Sequence, residues 1–149
     1  MLTSKIFWFT GQPGSGKTTL AYLLKCKLES IWLDVTHIDG DDLREIFQNK
    51  DYSEVGRRKN IEMAQNIALF MQNKGVTVIV SLVSPYKDQR DEFKKKPGVF
   101  EIYTHTTEIR GREEFHVSNY QAPSEDFIDI NTGENIDNCL KKITQYKIF

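Results

Sequence analysis

The chain has 149 residues, 20 Lys plus Arg against 21 Asp plus Glu, and 39% apolar side chains. That length fits one domain with a core able to fold without disulfides or metal, and the near-zero net charge argues against general nucleic-acid binding, which needs excess cations to release counterions. No apolar run approaches the roughly 20 residues that cross a bilayer, and the apolar block near Met1 is too short for a leader, so a cytoplasmic protein with no membrane partner is expected.

In chain order, a strand is predicted at 6–10, a helix at 17–28, a strand at 31–38 and helices at 41–47 and 53–73. A strand at 76–83 follows, then a helix at 85–93, strands at 100–103 and 127–130, and a helix at 135–146. Ser53 suits an N-cap and Gly75 a helix stop. The run Val76-Thr-Val-Ile-Val-Ser-Leu-Val83 is β-branched and nearly continuous, as a mid-sheet parallel strand covered on both faces should be. Alternating strands and helices imply an α/β fold, and the irregular stretch is 106–125. Cys26 and Cys139 belong to no C-x-x-C pair and are expected to be buried free thiols. His37, His105 and His116 have no metal-ligand spacing, and His37 and His105 read as packed or hydrogen-bonded strand residues.

Gly11-Gln-Pro-Gly-Ser-Gly-Lys-Thr18 fits G-x-x-x-x-G-K-[ST], follows a predicted strand and opens a predicted helix. Glycines let successive amides point into one concavity, and the helix N-terminus adds about half a positive charge behind them. The nucleotide-binding set is therefore Gly11, Gly14, Ser15, Gly16, Lys17, Thr18 and Thr19, with ATP and Mg²⁺ as the expected ligands. Lys17 suits the β and γ phosphates, and the Thr18 hydroxyl suits magnesium.

A GTPase would add an Asp-x-x-Gly switch and an Asn-Lys-x-Asp reader, and neither occurs, because Asn49-Lys-Asp-Tyr52 carries its Asp one position early. A small kinase needs instead an acceptor pocket where the second strand ends, and that strand finishes in Asp39-Gly-Asp-Asp-Leu-Arg44. Asp41 can take the proton of an attacking hydroxyl, help hold Mg²⁺, or both, and Arg44 one turn later suits an anionic acceptor. Turn and N-cap duty is the competing reading of Asp39 and Asp41. Arg57 and Asn60 are three apart on a predicted helix, so they share a face and can grip an anionic group together.

Phe7-Trp-Phe-Thr-Gly11, the phosphate loop, Asp39-Gly-Asp41, Tyr52-Ser-Glu54, Arg57, Asn60-Ile61 and Ser84-Pro-Tyr86 through Arg90 together resemble the adenylylsulfate kinase family in order and approximate spacing. Tyr120-Gln-Ala-Pro123 is similar to that family's Tyr-Glu-Ala-Pro. The resemblance implies a three-layer P-loop NTPase fold, with a mostly parallel five-stranded sheet, forming a single kinase domain over 1–149 with a lid at about 106–120. It also implies transfer of the γ-phosphate of ATP to the 3′-hydroxyl of adenosine 5′-phosphosulfate, a small nucleotide acceptor, by a homodimer. By position, Asp41 is then the base or metal-organising carboxylate. Arg44, Arg57 and Asn60 hold the acceptor, Ser84 faces the site from the third strand's end, and Tyr52 and Phe115 sandwich the base.

The resemblance fails in the lid. The family carries a lysine-rich stretch there, whereas the 13 residues between Thr106 and Tyr120 contain no lysine. Asp42, Lys59 and His105 also depart from the family pattern. Arg110 and Arg112 either replace the missing cations, cover the adenine, or pair with Glu108, Glu113 and Glu114 on the surface. Two other readings stay open: a kinase for cytidine diphosphoramidate, and a nucleotide-binding module without chemistry.

Overall fold

Every residue of β1 (Ile6–Thr10) is buried, and its side chains alternate between two cores. Phe7 and Phe9 join one cluster, Ile6 and Trp8 the other, so the chain's period of two decides which helices each face receives. The computed structural model describes residues 3–31 and 33–146. After β1 come α1 (Lys17–Glu29), β2 (Val35–Asp39), α2 (Gly40–Ile46), α3 (Glu54–Asn73), β3 (Thr77–Ser81), α4 (Lys87–Lys94) and β4 (Val99–His105). A 3-10 turn (Glu113–Phe115), β5 (Phe127–Asn131) and α5 (Ile136–Gln145) complete the order.

The sheet order is β2-β3-β1-β4-β5 and every pairing is parallel, an α/β architecture of three layers. Leu20, Leu24 and Leu28 of α1 and Ile143 of α5 cover one face. Leu43 of α2, Ile61, Ala64 and Ala68 of α3 and Phe93 of α4 cover the other. Each fully buried large apolar side chain contributes roughly 1.5–3 kcal/mol, so burial on both faces holds the sheet between its helices. The strand expected mid-sheet, β3, lies between β2 and β1, while β1 is the centre. Successive crossovers place the C-terminal ends of β1, β2, β3 and β4 along one edge, where open α/β sheets bind ligands.

Ser53 caps α3, its hydroxyl accepting from the Gly56 amide at 3.3 Å, and Gly75 follows the helix at φ +87°. Three expectations need correction. The strand predicted from residue 31 starts at Val35, because the amides of Ile31 and Leu33 bond back to the Leu28 carbonyl and close α1; Trp32 lies outside the described residues. The helix predicted from residue 85 starts at Lys87, whose amide is taken by the Gln121 side chain at 2.8 Å while the Pro85 carbonyl accepts the Gln121 amide. Cys139 is buried, but Cys26 is exposed, off the Leu20, Leu24 and Leu28 stripe of α1. No helix among the described residues is long and apolar enough to cross a membrane.

Candidate active site

The loop leaving β1 turns tightly because three of its residues, Gly11, Gly14 and Gly16, have no side chain and take positive φ. A Cβ on Gly11 would fall 2.4 Å from the Thr104 carbonyl, and Gly16 caps α1 at φ +98° with no side-chain acceptor. The first-turn amides of Lys17 and Thr18 therefore have no side-chain cap, the arrangement that receives an anion. The loop is buttressed from β4 and β5. Thr104 Oγ1 and Ser15 Oγ are 2.8 Å apart, and the Thr132 hydroxyl donates to the Ser15 carbonyl at 2.7 Å.

Lys17 lies within this cradle, with Nζ donating to the carbonyls of Gly11 and Gln12 at 2.9 Å each. Burial pushes its pKa down to about 8. The carboxylates of Asp39 and Asp41 oppose that shift, and Arg112 adds to it. A polyphosphate beside Lys17 would restore its charge and is the counter-ion such a site suits.

A cavity of about 630 Å³ opens from Lys17 and Thr18 toward Asp41, Arg57, Asn60 and the rings of Tyr52 and Phe115. Asp39 does the capping expected of an aspartate before a helix, accepting the Asp41 amide at 2.9 Å, which leaves Asp41 one residue into α2 and exposed to the cavity. Asn60 is 3% exposed, yet its Oδ1 has no hydrogen-bond partner among the described residues. An orphaned buried amide oxygen costs about 1–3 kcal/mol, and a ligand donor in the cavity would remove that cost. Arg57 shares the cavity wall, as its spacing from Asn60 requires.

Arg44 also lines the cavity but is partly committed: its Nη1 donates to the carbonyls of Asn49 and Asp51 at 3.1 Å, and its guanidinium lies 4.1 Å from the centre of the Tyr52 ring. It holds the 49–52 loop and thereby Tyr52. Ser84 is a correction. It is buried at φ +46° with its hydroxyl accepting from Trp8 Nε1 at 3.0 Å, and the cavity is lined by its neighbours Val83 and Pro85 instead. Thr19 borders only the smaller space over the phosphate loop, with Gly14, Gly16, Arg110 and Arg112.

Thr18, Asp39 and Asp41 supply oxygen donors that suit magnesium. Among the described residues no cluster of three or more His, Cys, Asp or Glu could form a protein cage, so a cation here would take most of its ligands from phosphate and water.

Several contacts around the site were not anticipated. Gln12 clasps residue 117 in both directions, its Nε2 donating to the Val117 carbonyl and its Oε1 accepting the Val117 amide, each at 2.8 Å. Tyr120 Oη lies 2.8 Å from Thr10 Oγ1. His37, by contrast, is a hydrogen-bonded residue of β2, as its strand position led one to expect: its Nε2 lies 2.7 Å from Ser81 Oγ, which donates to Asp39 at 3.4 Å. Arg90, 2% exposed, pairs with Glu101 at 2.6 Å and also donates to the carbonyls of Ser84 and Gln121. A glutamate inside the apolar run 100–103 was the one sequence signal of that pair.

Residues 3–136 match the family model described as adenylylsulphate kinase. An adenylyl-sulfate kinase of Burkholderia ambifaria is 39% identical over 105 residues, covering 67% of this chain and 58% of the relative. A cytidine diphosphoramidate kinase of Campylobacter jejuni is 35% identical over 99 residues, covering 66% of this chain and again 58% of the relative. Both alignments thus span less than two thirds of the relatives' length. Among solved structures, the Mycobacterium tuberculosis APS kinase in complex with AMPPNP and APS superposes with a TM-score of 0.84 at 23% identity, covering 97% of this chain and 98% of that one, a likeness of fold. With the family model spanning most of its length, the chain belongs to the adenylylsulphate kinase family.

Proposed function

We propose that this chain transfers the γ-phosphoryl group of ATP to the 3′-hydroxyl of a nucleotide, with adenosine 5′-phosphosulfate as the acceptor. The observation that carries the reading is one cavity shared by Lys17, Thr18, Asp41, the unpartnered Asn60 amide and two exposed rings, Tyr52 and Phe115. When bound, ATP supplies the phosphoryl group and Mg²⁺ offsets its charge. Lys17 and the amides that open α1 hold the phosphates, and Asp41 receives the acceptor's proton. Arg57 and Asn60 orient the acceptor, and Tyr52 and Phe115 stack on its base, each stack being worth roughly 1–3 kcal/mol. In this reading 106–120 is the lid of a single kinase domain that works as a homodimer in the cytoplasm.

The Campylobacter relative and the lysine-free lid favour a second acceptor, cytidine diphosphoramidate, which also offers a ribose hydroxyl beside an anionic tail. Stacking does not distinguish adenine from cytosine. Incubation of the chain with Mg-ATP and each acceptor, with ADP followed by a coupled assay and product by mass, separates the readings. ADP release dependent on adenosine 5′-phosphosulfate is expected. Release only with the cytidylyl compound selects the second reading, and release with neither, in a protein that binds ATP, refutes both.

A further inference from the structure

Two cavities meet at the start of α1, and one side chain from residues 106–120 lines both. The larger runs toward Asp41, and the smaller, about 290 Å³, lies over the phosphate loop. Gly14, Lys17 and Thr18 border the two spaces from below, and Arg112 borders both from above. A Cβ on Gly14 would lie 3.0 Å from Arg112 Cβ and 3.3 Å from its Cγ, so the arginine stem rests directly on the loop backbone. Its charge reaches Lys17, whose pKa it helps to lower.

The two arginines of this segment are placed for different work. Arg110 is occupied: Nη1 donates to the Gly14 carbonyl at 3.2 Å and to Thr132 Oγ1 at 3.0 Å, and Nη2 to the Thr132 carbonyl at 2.8 Å and Glu108 at 3.1 Å. The Arg112 guanidinium has no hydrogen bond or ion pair among the described residues and lies 5.3 Å from the centre of the Phe115 ring. Its backbone is nevertheless fixed, because the Glu113 carboxylate accepts the amides of Arg110, Gly111 and Arg112 at 3.1–3.2 Å. Exposed, unpaired and held on a fixed turn at the border of both cavities, this guanidinium is free to take an anion bound between it and Lys17.

We propose that Arg112 is a catalytic residue that contacts the γ-phosphoryl oxygens of the bound nucleotide and stabilises the charge spread over them during transfer. The proposal rests on the kinase reading of this site. In the step, the bond from the γ-phosphorus to the bridging oxygen breaks and its electron pair leaves on ADP. The bond to the acceptor oxygen forms, and the acceptor's proton goes to Asp41. Arg112 exchanges no proton, and its planar fork suits two equatorial oxygens where a lysine offers one point charge.

The test compares Arg112→Met and Arg112→Lys with the unaltered chain. Dissociation constants for Mg-ATP and Mg-ADP are measured by titration calorimetry without acceptor, and turnover is then measured with whichever acceptor the unaltered chain uses. A charge-assisted contact confined to the γ-phosphate predicts that Arg112→Met weakens ATP by about tenfold or more while ADP changes little. The melting temperature should hold, kcat should fall on the order of 10²–10³, and Arg112→Lys should recover part of both losses. Equal losses for ATP and ADP, no change in either, or a rise only in the acceptor KM would each overturn the assignment. Because the ATP-to-ADP ratio needs no acceptor, failure of the acceptor reading would show separately, as an unaltered chain that binds ATP but turns over none of the acceptors.

Discussion

Replacing Arg90 by methionine keeps an unbranched stem of similar length and removes the guanidinium from a fully buried site. Arg90 and Glu101 are 2% and 1% exposed, with Nε and Oε2 2.6 Å apart, and the same guanidinium serves the carbonyls of Ser84 and Gln121. Lys94 Nζ, 2.7 Å from Oε1 but off hydrogen-bond alignment, remains to offset part of the Glu101 charge. Breaking one side of a buried pair costs about 3–5 kcal/mol, and the residual lysine argues for the lower half of that range. A domain of this size has only about 5–15 kcal/mol of stability, and each kcal/mol moves its melting point by roughly 2–4 °C, so a fall of about 6–16 °C is expected. Calorimetry and urea melts give the number. The double variant Arg90→Met with Glu101→Met should recover much of the loss, since no unpaired carboxylate is left buried and Lys94 keeps Asp91 at 3.6 Å. A single-variant loss below about 1 kcal/mol, or a double variant as unstable as the sum of its parts, would refute the reasoning.

Asp41→Asn should lower turnover on the order of 10²–10⁴ while nucleotide affinity, measured by calorimetry, is retained; an unchanged rate would remove the carboxylate from the role of base. Lys17 titrates at about 8, so ATP affinity should fall roughly tenfold per pH unit above that value, with proton uptake on binding near pH 8–9. Stability has the opposite dependence. The unfolded chain holds the Lys17 proton up to 10.5 and the folded chain loses it near 8, so this group raises stability as pH climbs through that window. In Gly56→Ala the new Cβ would fall 2.3 Å from the Asp51 carbonyl, forcing the 49–52 loop outward; a stability loss of about 1–3 kcal/mol in urea melts and a raised acceptor KM are expected as Tyr52 moves.

Elements whose causes lie within a few residues were legible. The phosphate loop is one, because Gly16 at φ +98° and the stripe of Leu20, Leu24 and Leu28 carry the turn and the helix face in the local sequence. Arg57 and Asn60 are another, since helical spacing alone brings them to one wall. The start of α4 was not legible, because Gln121, 34 residues away, takes the Lys87 amide. Ser84 was misplaced for a related reason: its direction depends on a positive φ and on Trp8 Nε1 from the central strand, neither of which a serine at a strand end announces.

Arg110 and Arg112 show where composition stops being informative. They are the same residue type, two apart, and surrounded by the same glutamates, so surface pairing described both equally well. It is true of Arg110, which pairs with Glu108 at 3.1 Å, and not of Arg112. The difference comes from Glu113, whose carboxylate accepts backbone amides and so forms no ion pair with either guanidinium among the described residues. It comes also from Thr132, at the end of β5, which draws Arg110 away from the larger cavity. Residues 106–120 therefore lack lysine and still present one unpaired guanidinium, that of Arg112, to both cavities, because an acidic neighbour binds the turn's own backbone rather than the cation it carries.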